Sequence, residues 1–258
     1  MLTRDGHFLN RLADAAAAAI LPYFRTPMAV DDKGGGRFDP VTAADRGAEA
    51  AMRAEIEAAF PEDGIHGEEA AGVRLDAEHV WVLDPIDGTR SFISGVPLWG
   101  TLIGLLSAGR PRLGLAAQPF IGERFFGDGE SAAYVGSGGT RPLATRPCPD
   151  LSQATLFATT PDMFDPSEAA LFREVGARAR LTRFGCDCYA YCMLAAGFVD
   201  VVMEAGLKPY DIVALIPIIE GAGGKVTDWQ GQPATAGGQV LASGDPHLHE
   251  SLLRLISR

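Results

Sequence analysis

A chain of 258 residues, 47% hydrophobic and 21% charged, has the composition of an ordinary globular protein and enough length for a sizeable core. Its formal net charge of −11 makes a field that repels nucleic acid and anionic membrane, so neither is an expected partner. No apolar run approaches the roughly 20 residues that span a bilayer.

The chain opens with MLTRDGHFLNRLADAAAAAILPYF. Asp5 and Asp14 interrupt the alanine-rich run, and the apolar positions fit a helix face. This predicts a soluble helix over residues 5–25 rather than an export signal, with the cytoplasm as the expected compartment. DDKGGGRFDPV then reads as a Gly-rich hairpin or loop. TAADRGAEAAMRAEIEAAF predicts a second helix over residues 43–60, with Thr42 or Asp45 near its start. HVWVLDPID reads as a strand ending in a turn. WGTLIGLLSAG and PRLGLAAQPF read as two strands joined by a Gly-Arg-Pro turn, and GERFFGDGESAAYVGSGG as further short strands.

Near residues 147–150 the texture changes to α/β alternation. ATLFATT, LTRFG and VDVVMEAG read as strands; SEAALFREVGARA and CYAYCMLAAGF as helices; YDIVALIPIIEGAGG as one helix ending at glycine; KVTDWQG as a strand and turn. The expected division is an α+β half over residues 1–147 and an α/β half over 148–258. GGG and GAGG lack the Lys-Ser/Thr ending of a phosphate loop and read as turns and a helix cap. Cys186, Cys188 and Cys192 have no histidine nearby and open an apolar helix. With Cys148 they read as reduced, mostly buried thiols rather than a zinc site or disulfides.

The chemistry gathers around LDPIDGTRSF, residues 83–92. A bare D-x-x-D-G is often only a turn. Here an apolar strand run precedes it, which puts Asp84 and Asp87 at the C-terminal edge of a sheet, where sites in α/β proteins gather. Two carboxylates there repel one another unless a cation joins them, and hard oxygen ligands suit Mg²⁺. Glu68 and Glu69, in HGEEA, read either as a solvated acidic helix start or as further ligands. Asp211, in KPYDIVAL, reads as a helix cap or a ligand.

D-P-I-D-G-T, followed downstream by YDIVALIPIIEGAGG, resembles the inositol monophosphatase family. The resemblance extends to Lys33 with the segment from Asp39 to Asp45 and to G-E-E, in the family's order and across nearly the whole chain. It implies a layered α/β/α/β/α sandwich and a Mg²⁺-dependent phosphomonoesterase, commonly a homodimer. By the same resemblance, Glu68, Asp84 and the carbonyl of Ile86 bind a first Mg²⁺. Asp84 bridges to a second, held also by Asp87 and Asp211, and Glu68 helps to hold a third through waters. Gly88 and Thr89 offer backbone N–H groups to the phosphate. The Thr89 hydroxyl, hydrogen-bonded to Asp45, orients the attacking water, and Glu69 tunes the site. The four carboxylates carry a formal −4, which two divalent ions balance.

Within the family, Arg90-Ser91-Phe92, RFGCDCYAYC and KPYD resemble the histidinol-phosphatase branch. Histidinol phosphate carries an ammonium group, which Asp187 and Glu204 suit by charge. Asp187 reads equally as a helix N-cap and Glu204 as a strand-end salt bridge. Arg183 is a candidate partner for either acid or for the phosphate. Tyr189 and Tyr191 read as core or interface, and His66 as a turn residue. An inositol-phosphate or broad-specificity phosphatase of the same fold, and a non-catalytic Mg²⁺- or phosphate-binding regulator, are the alternatives.

Overall fold

The protein is described by a computed structural model covering residues 4–27, 29–34 and 40–256. Gly35, Gly36 and Asp39, read above as part of the Gly-rich segment and of the family pattern, lie outside the described residues. In chain order the first elements are α1 (Gly6–Ile20), β1 (Val30–Asp32), β2 (Pro40–Thr42), α2 (Ala43–Ala59), β3 (Gly64–Gly67), β4 (His79–Asp87) and α3 (Thr89–Ile93). The meander β5 (Gly100–Ser107), β6 (Arg110–Gln118), β7 (Glu123–Gly127), β8 (Ala132–Gly136) and β9 (Gly139–Pro142) follows. Then come β10 (Thr155–Ala158), α4 (Pro166–Arg178), β11 (Leu181–Phe184), α5 (Cys188–Ala195), β12 (Val201–Leu207), α6 (Pro209–Ile212) and α7 (Leu215–Gly221). The chain closes with β13 (Lys225–Thr227), β14 (Gly238–Ser243) and α8 (Pro246–Ile256).

Two sheets carry the fold. One has seven strands in the order β3-β4-β5-β6-β7-β8-β9, antiparallel except where β3 runs parallel to β4. The other has five, in the order β11-β10-β12-β14-β13, with β10 parallel to both its neighbours. Alternation along the strands separates three cores. Trp81, Leu83, Ile103 and Leu105 pack against α1 and α2 through Leu9, Leu12, Met52 and Ile56. Leu102 and Ala116 face the opposite way, against α5 and α7, which also cover Val202, Val240 and Ala242 of the second sheet. Val201, Met203 and Leu241 on the far face of that sheet pack under α4 and α8. The layers therefore run α/β/α/β/α, as the resemblance implies.

Three local expectations change. The helix expected across YDIVALIPIIEG is two, α6 and α7, broken at residues 213–214. Pro217 has no N–H to give the Val213 carbonyl, which weakens the ladder at that point. His66 lies in strand β3 rather than in a turn, its ring edge-on to Tyr210 at 6.2 Å. Beyond the expected strand and turn of KVTDWQG, the chain adds β14 and α8. The GAGG segment does end α7, with Gly223 at φ +96° accommodating the left-handed turn. The four cysteines are free thiols, three of them buried. Among the described residues no helix is long and apolar enough to cross a membrane.

Candidate active site

In a regular strand, residues three apart point to opposite faces, so Asp84 and Asp87 would diverge. The pairing of β4 with β5 shows why they do not. Asp84 stands opposite Leu102 and Asp87 opposite Gly100, an advance of three residues on one strand against two on the other. This bulge at Pro85-Ile86 turns both carboxylates to the same side. The carbonyls it frees are satisfied locally: the Thr101 hydroxyl donates to Pro85 at 2.8 Å and the Thr89 hydroxyl to Ile86 at 3.0 Å. Gly88, at φ +84°, then swings the chain into α3.

Asp211 joins the pair from the short helix α6, where its Oδ2 accepts from the Lys208 N–H at 2.7 Å. Asp84, Asp87 and Asp211 each bring a carboxylate oxygen to within 4.8 Å of the others. Burial first, and then neighbouring carboxylates, drive Asp84 (Glu68, Asp87, Asp211) and Asp87 (Asp187, Asp211) well above the usual carboxylate range, and burial pushes Asp211 up to about 7. Asp84 Oδ1 is fully buried without a hydrogen-bond partner. Three clustered carboxylates, one with an orphaned oxygen, fit a hard divalent cation. Asp87 Oδ2 has one donor, the Cys188 N–H at 2.6 Å, and so caps α5 from another strand. Glu68 lines the same cleft, and the Lys33 ammonium reaches its Oε1 at 2.8 Å and Glu69 Oε1 at 2.6 Å. Burial raises Glu69 to about 7.

The cleft has a volume of about 430 Å³, and its other wall comes from the second sheet. Glu204, on β12, is 2% exposed. Its Oε1 accepts from the Thr159 N–H at 2.6 Å and its Oε2 from the Tyr191 hydroxyl at 2.9 Å. Burial raises its pKa, and these two donors oppose the rise. Asp187 stands at the N-cap position of α5 but makes no capping bond there; its Oδ2 accepts from the Ser91 hydroxyl at 3.1 Å. Burial raises Asp187 too, against the pull of Ser91 and Arg90.

The family model that matches, described as the inositol monophosphatase family, covers residues 4–258. The chain belongs to this family. It is 45% identical to the bifunctional phosphatase IMPL2, chloroplastic, of Arabidopsis thaliana, over 95% of this chain and 72% of that one. It is 34% identical to a histidinol-phosphatase of Chlorobaculum parvum, over 99% and 97%. A solved inositol monophosphatase from Zymomonas mobilis superposes with a TM-score of 0.87 at 45% identity, covering 98% of this chain and 97% of that one. The protein is thus a phosphatase of a metal-dependent family, and its acidic cluster fits that dependence.

Within this family site, the structure brings Glu68, Asp84, Ile86, Asp87, Gly88, Thr89, Asp187, Glu204 and Asp211 to one cleft. Three expectations need correction. The Thr89 hydroxyl bonds the Ile86 carbonyl rather than Asp45. Asp45 instead closes a capping box, its Oδ2 accepting from the N–H and hydroxyl of Thr42 at 2.8 and 2.5 Å, while its buried Oδ1 has no partner. Arg183 is exposed on the edge strand β11, apart from the residues that line the cleft. Glu204 is held by a hydroxyl and an amide, with no salt bridge among the described residues. Reading the sequence missed the donors Ser91, Thr159 and Tyr191. Tyr191 is buried as expected, yet it also lines the cleft, and no local pattern distinguishes the two.

Proposed function

We propose that the protein is a Mg²⁺-dependent histidinol-phosphate phosphatase, releasing L-histidinol and phosphate in histidine biosynthesis. The observation that carries this reading is a second pair of carboxylates in the cleft, half-buried Asp187 beside Asp87 and Gly88, and buried Glu204 on β12, neither of them part of the aspartate cluster. A substrate with an anionic phosphate at one end and an ammonium at the other matches such a division.

Glu68, Asp84, the Ile86 carbonyl, Asp87 and Asp211 would hold two or three Mg²⁺ ions. When bound, the ions neutralise the carboxylates, draw in the phosphate oxygens, acidify a water and ease departure of the alkoxide. The chain's own groups do the rest. The N–H groups of Gly88 and Thr89, opening α3, orient the phosphate. The Thr89 hydroxyl, held at the Ile86 carbonyl, would orient the attacking water. Asp187 and Glu204 position the ammonium. Asp187 contributes through charge, and Glu204 through charge and a fixed orientation.

A second reading, hydrolysis of an inositol monophosphate, is favoured by the 45% identity to the Zymomonas mobilis structure. Phosphate release from the two esters, measured side by side with Mg²⁺ and an EDTA control, decides between them. The proposal expects kcat/KM to favour histidinol phosphate by about a hundredfold, or about 2.7 kcal/mol of transition-state binding. Equal rates, or preference for the inositol ester, would sink it while leaving the phosphatase standing. Glu204→Gln should lose far more activity on histidinol phosphate than on glycerol phosphate; equal losses would remove the ammonium-binding role. We also propose a homodimer, which light scattering on the purified chain reads directly, and a cytoplasmic setting.

A further inference from the structure

Glu49 lies on α2, is 1% exposed, and is not among the residues lining the cleft. Burying a carboxylate is costly unless donors meet its oxygens. Those donors come from the segment that carries Glu68. Glu49 Oε2 accepts from the Glu69 N–H at 2.7 Å, and Oε1 from the Ala70 N–H at 3.1 Å. Arg53, one helical turn on, donates to Glu49 Oε1 at 2.7 Å and to the Ala70 carbonyl at 3.0 Å. On its other side, the Glu68 N–H donates to the Leu83 carbonyl of β4 at 3.2 Å.

Gly67 completes the arrangement. Its φ is not in the left-handed region, so its backbone conformation does not demand glycine. Its space does: a Cβ there would stand 2.2 Å from Glu49 Oε1 and 2.3 Å from the Glu49 carboxyl carbon. The carboxylate is packed flat against the backbone immediately before Glu68 and bonded to the backbone immediately after it.

We infer that Glu49 is a positioning residue for the cation site: by clamping residues 67–70 it fixes the Glu68 carboxylate against Asp84. This rests on Glu68 being a cation ligand, and not on which ester is hydrolysed. Glu49→Gln replaces one acceptor with an NH₂ group that faces a backbone N–H, and it removes the ion pair with Arg53. Gly67→Ala disturbs the same contact from the opposite side without changing Glu49.

The test is Mg²⁺ affinity by calorimetry, together with phosphate release as Mg²⁺ is varied, for the wild type, Glu49→Gln, Gly67→Ala and the double variant. Glu68→Gln serves as reference. For each single variant the Mg²⁺ dissociation constant should rise at least tenfold, while kcat at saturating Mg²⁺ stays within threefold. The double variant should be no worse than the more affected single one, because both break one contact. Unchanged Mg²⁺ affinity in Glu49→Gln and Gly67→Ala, with only the melting temperature in EDTA lowered, would reduce Glu49 to a structural cap and overturn the inference. Unchanged affinity in Glu68→Gln would overturn the ligand assignment beneath it instead. If Glu49→Gln fails to fold, Gly67→Ala still decides the matter.

Discussion

The two walls of the cleft are both acidic, yet their carboxylates are satisfied to different degrees. On the first, Asp84 is buried with an oxygen that meets no donor, and Asp84, Asp87 and Asp211 crowd together. On the second, Asp187 and Glu204 have donors supplied by the chain: Ser91 for one, Thr159 and Tyr191 for the other. The first wall is incomplete without positive charge from outside, and several kcal/mol of repulsion and desolvation await a cation. The second has donors that offset part of the cost of burial, although Asp187 and Glu204 still add to the repulsion on Asp87 and Asp211. It presents negative charge to the cleft without demanding a metal, which suits contact with a substrate rather than with a cofactor.

The strongest way to break this contrast is to neutralise one carboxylate on the first wall. Asp87→Asn keeps an oxygen for the Cys188 N–H, so the cap on α5 survives. We expect kcat/KM to fall at least a thousandfold, or about 4 kcal/mol. The melting temperature in EDTA should hold or rise, because a buried repulsive charge has gone. A loss below tenfold would mean that the clustered aspartates are not a cation site.

The next effect is on stability and its pH dependence. Asp84 and Asp87 lie well above their unfolded values and Asp211 lies at about 7. The metal-free native state therefore holds protons that the unfolded chain has released. Between about pH 4 and pH 7 the stability of the metal-free protein should fall as pH rises, by an amount on the order of 2–4 kcal/mol. Mg²⁺ reverses this by replacing those protons. Melting curves from pH 5.5 to 8 should slope downward in EDTA and flatten with excess Mg²⁺. Parallel curves would show that the ion does not bind at these groups.

Much of the first wall was legible in the sequence, and little of the second. D-P-I-D-G-T after an apolar strand run marks a carboxylate pair at a sheet edge, and its resemblance to the family, with G-E-E and Y-D-I-V-A-L in family order, implies the cation site. Even so, the bulge that makes Asp84 and Asp87 parallel is a one-residue shift in pairing, set by the partner strand and invisible in either strand alone. The contacts of the second wall join residues far apart in the chain: Ser91 to Asp187, and Thr159 and Tyr191 to Glu204. Nothing local marks such donors. The same holds for Thr42, whose N–H and hydroxyl both donate to Asp45 Oδ2. By contrast, α8 left a pattern that reading the sequence passed over: Leu248, Leu252 and Leu255 share a face after Pro246. Pro217, inside α7 and without an N–H for the Val213 carbonyl, was in plain view as well.

The smallest effect sharpens the contrast most. Tyr191→Phe deletes a single oxygen and leaves the buried ring in place. Glu204 would keep its Thr159 N–H on Oε1 but lose the donor that fixes Oε2. A hydrogen bond to a charged acceptor contributes about 1.5–3 kcal/mol, and part of that here is spent on orienting the carboxylate. If the second wall works by holding Glu204 at one angle, kcat/KM for histidinol phosphate should drop about tenfold, or about 1.4 kcal/mol. Glycerol phosphate, which has no ammonium to meet, should change less than twofold, and Mg²⁺ affinity should not move. Ser91→Ala should act in the same direction through Asp187, more weakly, because its bond is longer and its acceptor less buried. Equal losses on both esters would make Tyr191 a packing residue. A tenfold shift in Mg²⁺ affinity would mean that the repulsion between Glu204 and Asp211 couples the walls strongly enough to erase the division drawn between them.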